Sequence, residues 1–325
     1  MSEKVLITGG AGYIGSVLCR LLISEGYHVR VLDRLLFGGE SVIELLNYSN
    51  FEFINGDTRI KEDREKAVMG MNYIIHLAAI VGDPACSKNS DLTKETNIDA
   101  TKLLYEEANA QGCKRFVFAS TCSNYGKMKD PDKMVDENSE LRPVSLYAET
   151  KVAAEFFLLE QNRDNICKPI CLRFATAYGL SPRMRFDLTV NEFIRDTTLG
   201  KELKIFGEQF WRPYCHIIDL ARACIMILRT NEEKISFNVF NVGDSGENYQ
   251  KKMIAEEILK IIPAAKISYF KKDEDPRDYK VNFEKIKNAL GFKITRKLPD
   301  GLRNVHYALI NSLFTNPYKE LYSNS

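Results

Sequence analysis

With 325 residues, 45% of them hydrophobic, the chain is long enough to bury one large core or two smaller ones. Its 45 basic and 44 acidic residues leave a net charge of +1, which excludes a charge-driven binder of nucleic acid or of an anionic membrane surface. Eight cysteines without a C-x-x-C pair and four scattered histidines exclude a disulfide framework, give a metal site no support and leave buried free thiols as the expectation. No apolar run reaches membrane-spanning length, and the first strand begins with no leader ahead of it, so the expected compartment is a reducing cytoplasm.

Lys4 to Gly15 is a short apolar run that ends in glycines and opens into a helix. Val5, Leu6 and Ile7 read as a buried strand, and Val17, Leu18, Leu21 and Leu22 follow at helical spacing. Gly9 suits the tight turn, Gly12 lets backbone approach a pyrophosphate, and Gly15 lets the helix pack closely on the sheet. Free N–H groups and the positive end of the helix dipole then face the phosphates, with Tyr13 and Ile14 in that first turn. His28 to Asp33 reads as a second strand ending in a carboxylate, 18 residues after Gly15, where it can accept from the adenosine ribose hydroxyls. The alternative is a glycine-rich turn with an unrelated acid on the next strand. Asp33 favours NAD over NADP because a 2′-phosphate would meet its charge, whereas Arg34 beside it could reach such a phosphate.

A helical segment around Ser41 to Leu46 is expected next, followed by strands over Phe51–Asp57, Tyr73–Ala79, Phe116–Ala119 and Ile170–Arg173 with helices between them. Continuous apolar strands of this kind are buried on both faces, so the expected fold class is α/β, a Rossmann-type doubly wound parallel sheet with a smaller mixed α/β substrate-binding domain. The expected division is a dinucleotide-binding domain over 1–178 and a second domain mainly over 179–325, with 216–246 returning to the first through the apolar strand Phe237–Val242. The polar stretch from Asn316 is expected to be loosely held.

Tyr147 and Lys151 lie four apart at the start of an apolar-faced helix, on one face. A free tyrosine has a pKa of about 10, too high for a base at neutral pH, and a nearby ammonium favours the phenolate. Lys151 could lower it while holding the nicotinamide ribose, and Tyr147 would then take the proton of a substrate hydroxyl as hydride leaves the same carbon. A surface pair without function is the alternative.

Together with Gly56–Asp57, the His76–Ala79 strand end and Asn97, these features resemble the short-chain dehydrogenase/reductase superfamily, and within it the extended branch of nucleotide-sugar epimerases and dehydratases. The resemblance covers nearly the whole chain. It implies NAD as cofactor, bound by Gly9, Gly12, Tyr13, Ile14, Gly15, Asp33, Asp57, Thr58, Leu77, Ala78, Ala79, Asn97, Tyr147 and Lys151. Asp57 and Thr58 would contact the adenine and Leu77, Ala78 and Ala79 would line the cofactor. Asn97 would support the active-site backbone, or else cap a helix. Thr121, in Ser120–Gly126, would join Tyr147 and Lys151 as the catalytic hydroxyl.

The 4,6-dehydratases of this branch place an acid and a base at the two positions after that hydroxyl, where this chain has Cys122 and Ser123. Dehydration is therefore disfavoured. Cys122 is either an acid/base for epimerisation or, better, a packing residue. On the substrate side the resemblance points to Thr121, Ser123, Thr176, Arg185, Leu188, Arg212 and Arg277. Thr176 stands where an Asn often follows the strand arginine, here Arg173, and Pro213 replaces the usual acid beside Arg212. Guanidinium forks at Arg212 and Arg277 suit a diphosphate, with surface salt bridges as the alternative. Arg183 and Arg185 both border the expected pocket, and the sequence leaves open which one points inward.

The function implied is NAD-dependent oxidation at C4 of a nucleotide-diphosphate sugar, as a 4-epimerase or a 4-dehydrogenase. A 4,6-dehydratase and a non-catalytic NAD-binding regulator are the alternatives. A homodimer or higher homo-oligomer is expected through the helices after Asn97 and Tyr147, with no nucleic-acid or membrane partner.

Overall fold

The computed structural model describes residues 2–127, 130, 133–272 and 277–324. Its strands in chain order are β1 (Lys4–Thr8), β2 (His28–Asp33), β3 (Phe51–Asn55), β4 (Tyr73–His76), β5 (Arg115–Thr121), β6 (Lys168–Phe174), β7 (Thr176–Tyr178), β8 (Leu203–Phe206), β9 (Trp211–His216), β10 (Asn238–Val242), β11 (Asn248–Gln250) and β12 (Ile267–Phe270). Seven of them form one parallel sheet in the order β10-β6-β5-β4-β1-β2-β3. The order reverses between β1 and β4, so the loops that follow these two strands diverge and leave a crevice at their carboxyl ends.

Alternation along the strands feeds two cores. Val5 and Ile7 of β1 join Val29, Val31 and Ile75 on one face, beneath Leu18 and Leu22 of helix Tyr13–Ser24 and Leu220 of helix Ile217–Arg229. Leu6 points the other way, to Leu32, Ile74 and Phe116, beneath Leu104 of helix Ala100–Ala110 and Leu158 of helix Leu146–Leu159. Both faces are thus covered, which is why these strands carry apolar residues at consecutive positions.

β10 pairs with β6 in parallel, Asn238 opposite Ile170, at one edge of the main sheet. The segment after β6 builds a second layer, with sheets β11-β9-β7 and β12-β8. It is fastened to the first glycine-loop helix: the Tyr13 hydroxyl donates to the Gly179 carbonyl at 2.6 Å, and the Ser181 hydroxyl donates to the Tyr13 carbonyl at 2.7 Å.

Two local expectations fail. The stretch expected as a helix from Ser41 to Leu46 is a short 3-10 turn over Ile43–Asn47, with only Leu45 buried, too small an apolar face to hold a longer helix. The stretch from Asn316 is docked rather than loose, because Phe314 and Tyr322 pack edge-on around Phe186 and the Phe186 N–H donates to the Tyr322 carbonyl at 2.8 Å. All eight cysteines are buried free thiols.

Candidate active site

The crevice is a cavity of about 730 Å³ that runs from the β1 glycine loop to the second layer. Every site residue expected from the sequence lines it except Asn97, whose neighbour Thr96 does. Gly9 turns the chain out of β1 with φ of +75°, and a Cβ on Gly15 would lie 2.2 Å from the Gly9 carbonyl oxygen. Only glycine lets the helix approach the strand this closely, and that approach sets the helix N-terminus against the cavity.

Asp33 closes the far end of β2. Its carboxylate accepts from the Ala11 N–H at 3.0 Å and from the Leu35 N–H at 2.9 Å. Burial raises its pKa, and those bonds and Arg183 hold against the rise. Asp57 and Thr58 line the same end. Arg59 donates to Asp57 at 2.8 Å and Arg34 approaches it at 3.3 Å, so the Asp57 carboxyl is held below its ordinary value despite burial. Arg34 therefore faces Asp57 as well as the cavity.

Asn97 sits in a π-helical turn over Glu95–Asp99 and caps nothing. Its amide accepts from the Ile80 N–H at 2.8 Å, donates to the Ile80 carbonyl at 3.0 Å and donates to the Thr150 hydroxyl at 3.1 Å. One side chain thereby ties the loop after β4, with Leu77, Ala78 and Ala79, to the helix that carries Tyr147.

That helix, Leu146–Leu159, is capped by Ser145, and its apolar inner side lies on β5. Thr121 ends β5. The Ser123 N–H donates to the Thr121 oxygen at 3.1 Å, which leaves the hydroxyl proton to point onward, and Thr121 lines the cavity with the Tyr147 phenol, whose pKa it acts to lower. Lys151 is 2% exposed, donates to the Ala119 carbonyl at 2.9 Å and lies over the Phe118 ring. Burial pushes its pKa down to about 8.

The expectation that Lys151 lowers the Tyr147 pKa is not met. Burial raises the phenol well above its ordinary value, with Cys86 adding to the rise and Arg185 and Thr121 opposing it. The ammonium is drawn to the Ala119 carbonyl instead.

Cys122 turns away from the cavity. Its thiol donates to the Arg173 carbonyl at 3.2 Å, and burial raises its pKa far out of the range of an acid/base group. Ser123 faces the cavity, as does Tyr279, a buried residue that the sequence reading missed. Its only sequence signal was its place two residues after Arg277.

The arginines expected to hold a diphosphate are engaged with protein partners. Arg212, on β9, donates to the Trp211 carbonyl at 2.8 Å and lies over Tyr279, while Arg277 pairs with Asp83 at 3.0 Å across the cavity. Arg183 and Arg185 both line the cavity. Arg185 makes a forked pair with Asp187, and Arg183 stacks on Phe37 with its centre 3.9 Å from the ring centroid. Thr176 and Leu188 lie on the same wall. The Arg173 guanidinium pairs with Glu155 in the core.

The residues present suit a dinucleotide: a glycine cradle that any Cβ would fill, a helix N-terminus, a carboxylate at the end of β2 and a buried lysine beside a tyrosine. Among the described residues no three His, Cys, Asp or Glu side chains gather as a metal site, and no helix is long and apolar enough to cross a membrane.

Comparison with known proteins agrees with this reading. The sequence profile of the NAD dependent epimerase/dehydratase family matches residues 5–243. The uncharacterized UDP-glucose epimerase YtcB of Bacillus subtilis (strain 168) is 29% identical over 323 residues, covering 96% of this chain and 99% of that protein. A dTDP-glucose 4,6-dehydratase of Streptomyces niveus is 27% identical, covering 97% and 96%. The crystal structure of the UDP-glucuronic acid 4-epimerase from Bacillus cereus, in complex with UDP-glucuronic acid and NAD, is 28% identical with a TM-score of 0.85 and covers 96% of this chain and all of that one. A glycine-loop Rossmann sheet, a Thr-Tyr-Lys cluster at its switch point and a profile match over most of the chain converge on one assignment: the protein belongs to the NAD dependent epimerase/dehydratase family, with NAD as its cofactor.

Proposed function

We propose that the protein oxidises the C4 hydroxyl of a nucleotide-diphosphate sugar and, after the 4-keto sugar turns over in the cavity, returns hydride to its other face, a 4-epimerisation. A net 4-dehydrogenase is the second reading, and it uses the same residues. Bound NAD supplies the hydride acceptor. Gly12, Tyr13 and Asp33 hold it by backbone and carboxylate, and Lys151 fixes its nicotinamide ribose.

Tyr147 takes the C4 hydroxyl proton, and Thr121 orients that hydroxyl. Lys151 would hold the nicotinamide ribose and serve as the cation that steadies the phenolate. The observation that carries this reading is that Thr121, Tyr147 and Lys151 line one cavity together with the glycine loop and Asp33. The burial of Cys122, with Ser123 as the neighbour that lines the cavity, argues against the 4,6-dehydratase, which needs an acid and a base there. An intact Tyr-Lys pair argues against a non-catalytic regulator.

Arg212 and Arg277 approach the cavity from separate segments, and they would receive the substrate diphosphate once it displaces Trp211 and Asp83 from them. Leu103 and Phe156, 42% and 51% exposed on neighbouring helices, support a homodimer through that face. The free cysteines support a cytoplasmic setting.

Incubating the holoenzyme with UDP-, GDP-, CDP- and dTDP-hexoses and following C4 configuration by proton NMR tests the proposal. A C4 epimer without net NADH supports the epimerase, and a 4-keto product with stoichiometric NADH supports the dehydrogenase. A 4-keto-6-deoxy product would overturn both in favour of the dehydratase, and the absence of product with every donor would overturn C4 chemistry.

A further inference from the structure

Family membership leaves unassigned the segment from Phe314 to Asn324, which lies beyond the profile match. It crosses the second layer and ends at the cofactor cavity. Phe314 and Tyr322 anchor it on Phe186, and the Tyr318 hydroxyl donates to Asp196 at 3.0 Å. The last described residues then reach the arginine segment: Arg183 donates to the Ser323 carbonyl at 3.2 Å, and the Asn324 N–H donates to Asp187 at 3.3 Å.

Two polar atoms at this junction are buried and have no hydrogen-bond partner among the described residues. They are Nε of Arg183, a residue 5% exposed, and Oδ1 of Asn324. Both residues line the large cavity. A buried N–H donor or amide oxygen left unmatched costs about 1–3 kcal/mol, more for a charged group. One is a cationic donor and the other a neutral acceptor. A phosphate oxygen next to a ribose hydroxyl answers both.

Two nucleotides enter this cavity in the reading above, and position distinguishes them. Ser181 is bound to Tyr13 and Ser16 of the glycine-loop helix, which holds Arg183, two residues on, beside that helix N-terminus. On its other side Arg183 stacks on Phe37, in the loop that follows Asp33, and its charge is felt at Asp33. The adenosine side of the dinucleotide occupies this corner if Asp33 reads its ribose.

We propose that Arg183 and Asn324 bind the adenosine-side phosphate and ribose of NAD, so that the segment 314–324 acts as a strap holding the cofactor in place. This rests on the NAD assignment and not on the identity of the sugar, because it is read as binding. Isothermal titration of cofactor-stripped protein with NAD, with ADP-ribose and with UDP separates the possibilities. Asn324→Ala is expected to raise the dissociation constants for NAD and ADP-ribose about fivefold, the loss of one hydrogen bond. UDP affinity should stay within about twofold of its starting value, and the melting temperature of the ligand-free protein should not move. Arg183→Gln is expected to raise both dinucleotide constants about tenfold or more. If Arg183→Gln fails to fold, Asn324→Ala still decides, since its side-chain oxygen has no partner to lose. Unchanged NAD and ADP-ribose binding in Asn324→Ala, or weakened UDP binding alone, would overturn the proposal.

Discussion

Tyr147 occupies an environment that works against its ionisation, and the residues around it show what must change before it can act. Burial holds the phenol protonated at neutral pH, and Lys151 is turned to the Ala119 carbonyl. Bound NAD would bring a positively charged nicotinamide ring to this site, and Lys151, in holding its ribose, would add its own charge. The difference in absorbance titration between wild type and Tyr147→Phe should therefore place this phenol well above the ordinary tyrosine range without ligand and bring it down at saturating NAD. No movement on adding NAD would contradict that coupling. In the same variant, turnover at C4 should fall by about 10²–10⁴-fold, with the NAD dissociation constant changed by no more than about twofold. Tyr147, Lys151 and the glycine loop were legible in the sequence because spacing along a helix or turn fixes their neighbours. Tyr279 and Asn324 were not, because a lone polar residue in an irregular segment carries no periodicity.

At the scale of elements, the catalytic helix is held by a buried ion pair rather than by its apolar face alone. Glu155 on Leu146–Leu159 accepts from Ser120 of β5 at 2.7 Å and pairs with Arg173 of β6, and Arg173 in turn donates to Tyr125 at 2.9 Å. Glu155 is fully buried, so its removal leaves an uncompensated guanidinium in the core. Glu155→Gln is expected to cost about 3–5 kcal/mol of unfolding free energy, read as a fall in the urea midpoint at unchanged slope. A shift below about 1 kcal/mol would mean that the ion pair does not anchor the helix. The sequence showed Arg173 on a strand and gave it no partner. Only the packing of helix on sheet, which brings together residues 18 apart in sequence, gives it Glu155.

For the whole molecule, two buried titratable groups set opposing pH dependences. His76 accepts and donates between Thr8 and Thr101, and burial, with Lys151 nearby, lowers its pKa to about 3. The unfolded chain binds that proton first, so this contribution is lost as pH falls from about 6.5 towards 3. Glu247 accepts from the Leu298 N–H at 3.0 Å where two segments of the second layer meet, and burial raises its pKa to about 7. The folded protein holds that proton more tightly, so this contribution is present below about 4.5 and lost as pH rises through 7. Glu247→Gln keeps the acceptor without the charge. Its stability relative to wild type should rise between pH 5 and pH 8 by on the order of 1–2 kcal/mol, measured by urea unfolding at each pH. A flat difference would show that Glu247 titrates alike in both states.

The sequence by itself determined the α/β class, the glycine cradle, the acid at the end of β2 and the Tyr-Lys pair, because each depends on residues near one another along the chain. Apolar runs long enough to need cover on both faces dictate a sandwiched parallel sheet, and a spacing of four on a helix needs no tertiary information. The tertiary structure decided which arginines meet which carboxylates, that Cys122 faces the core, that Asn97 braces two elements instead of capping one, and that the stretch from Phe314 returns to the cofactor cavity. These depend on which surfaces lie opposite one another after the strands have taken their order in the sheet, and a single sequence carries no local signal for contacts between residues on different elements.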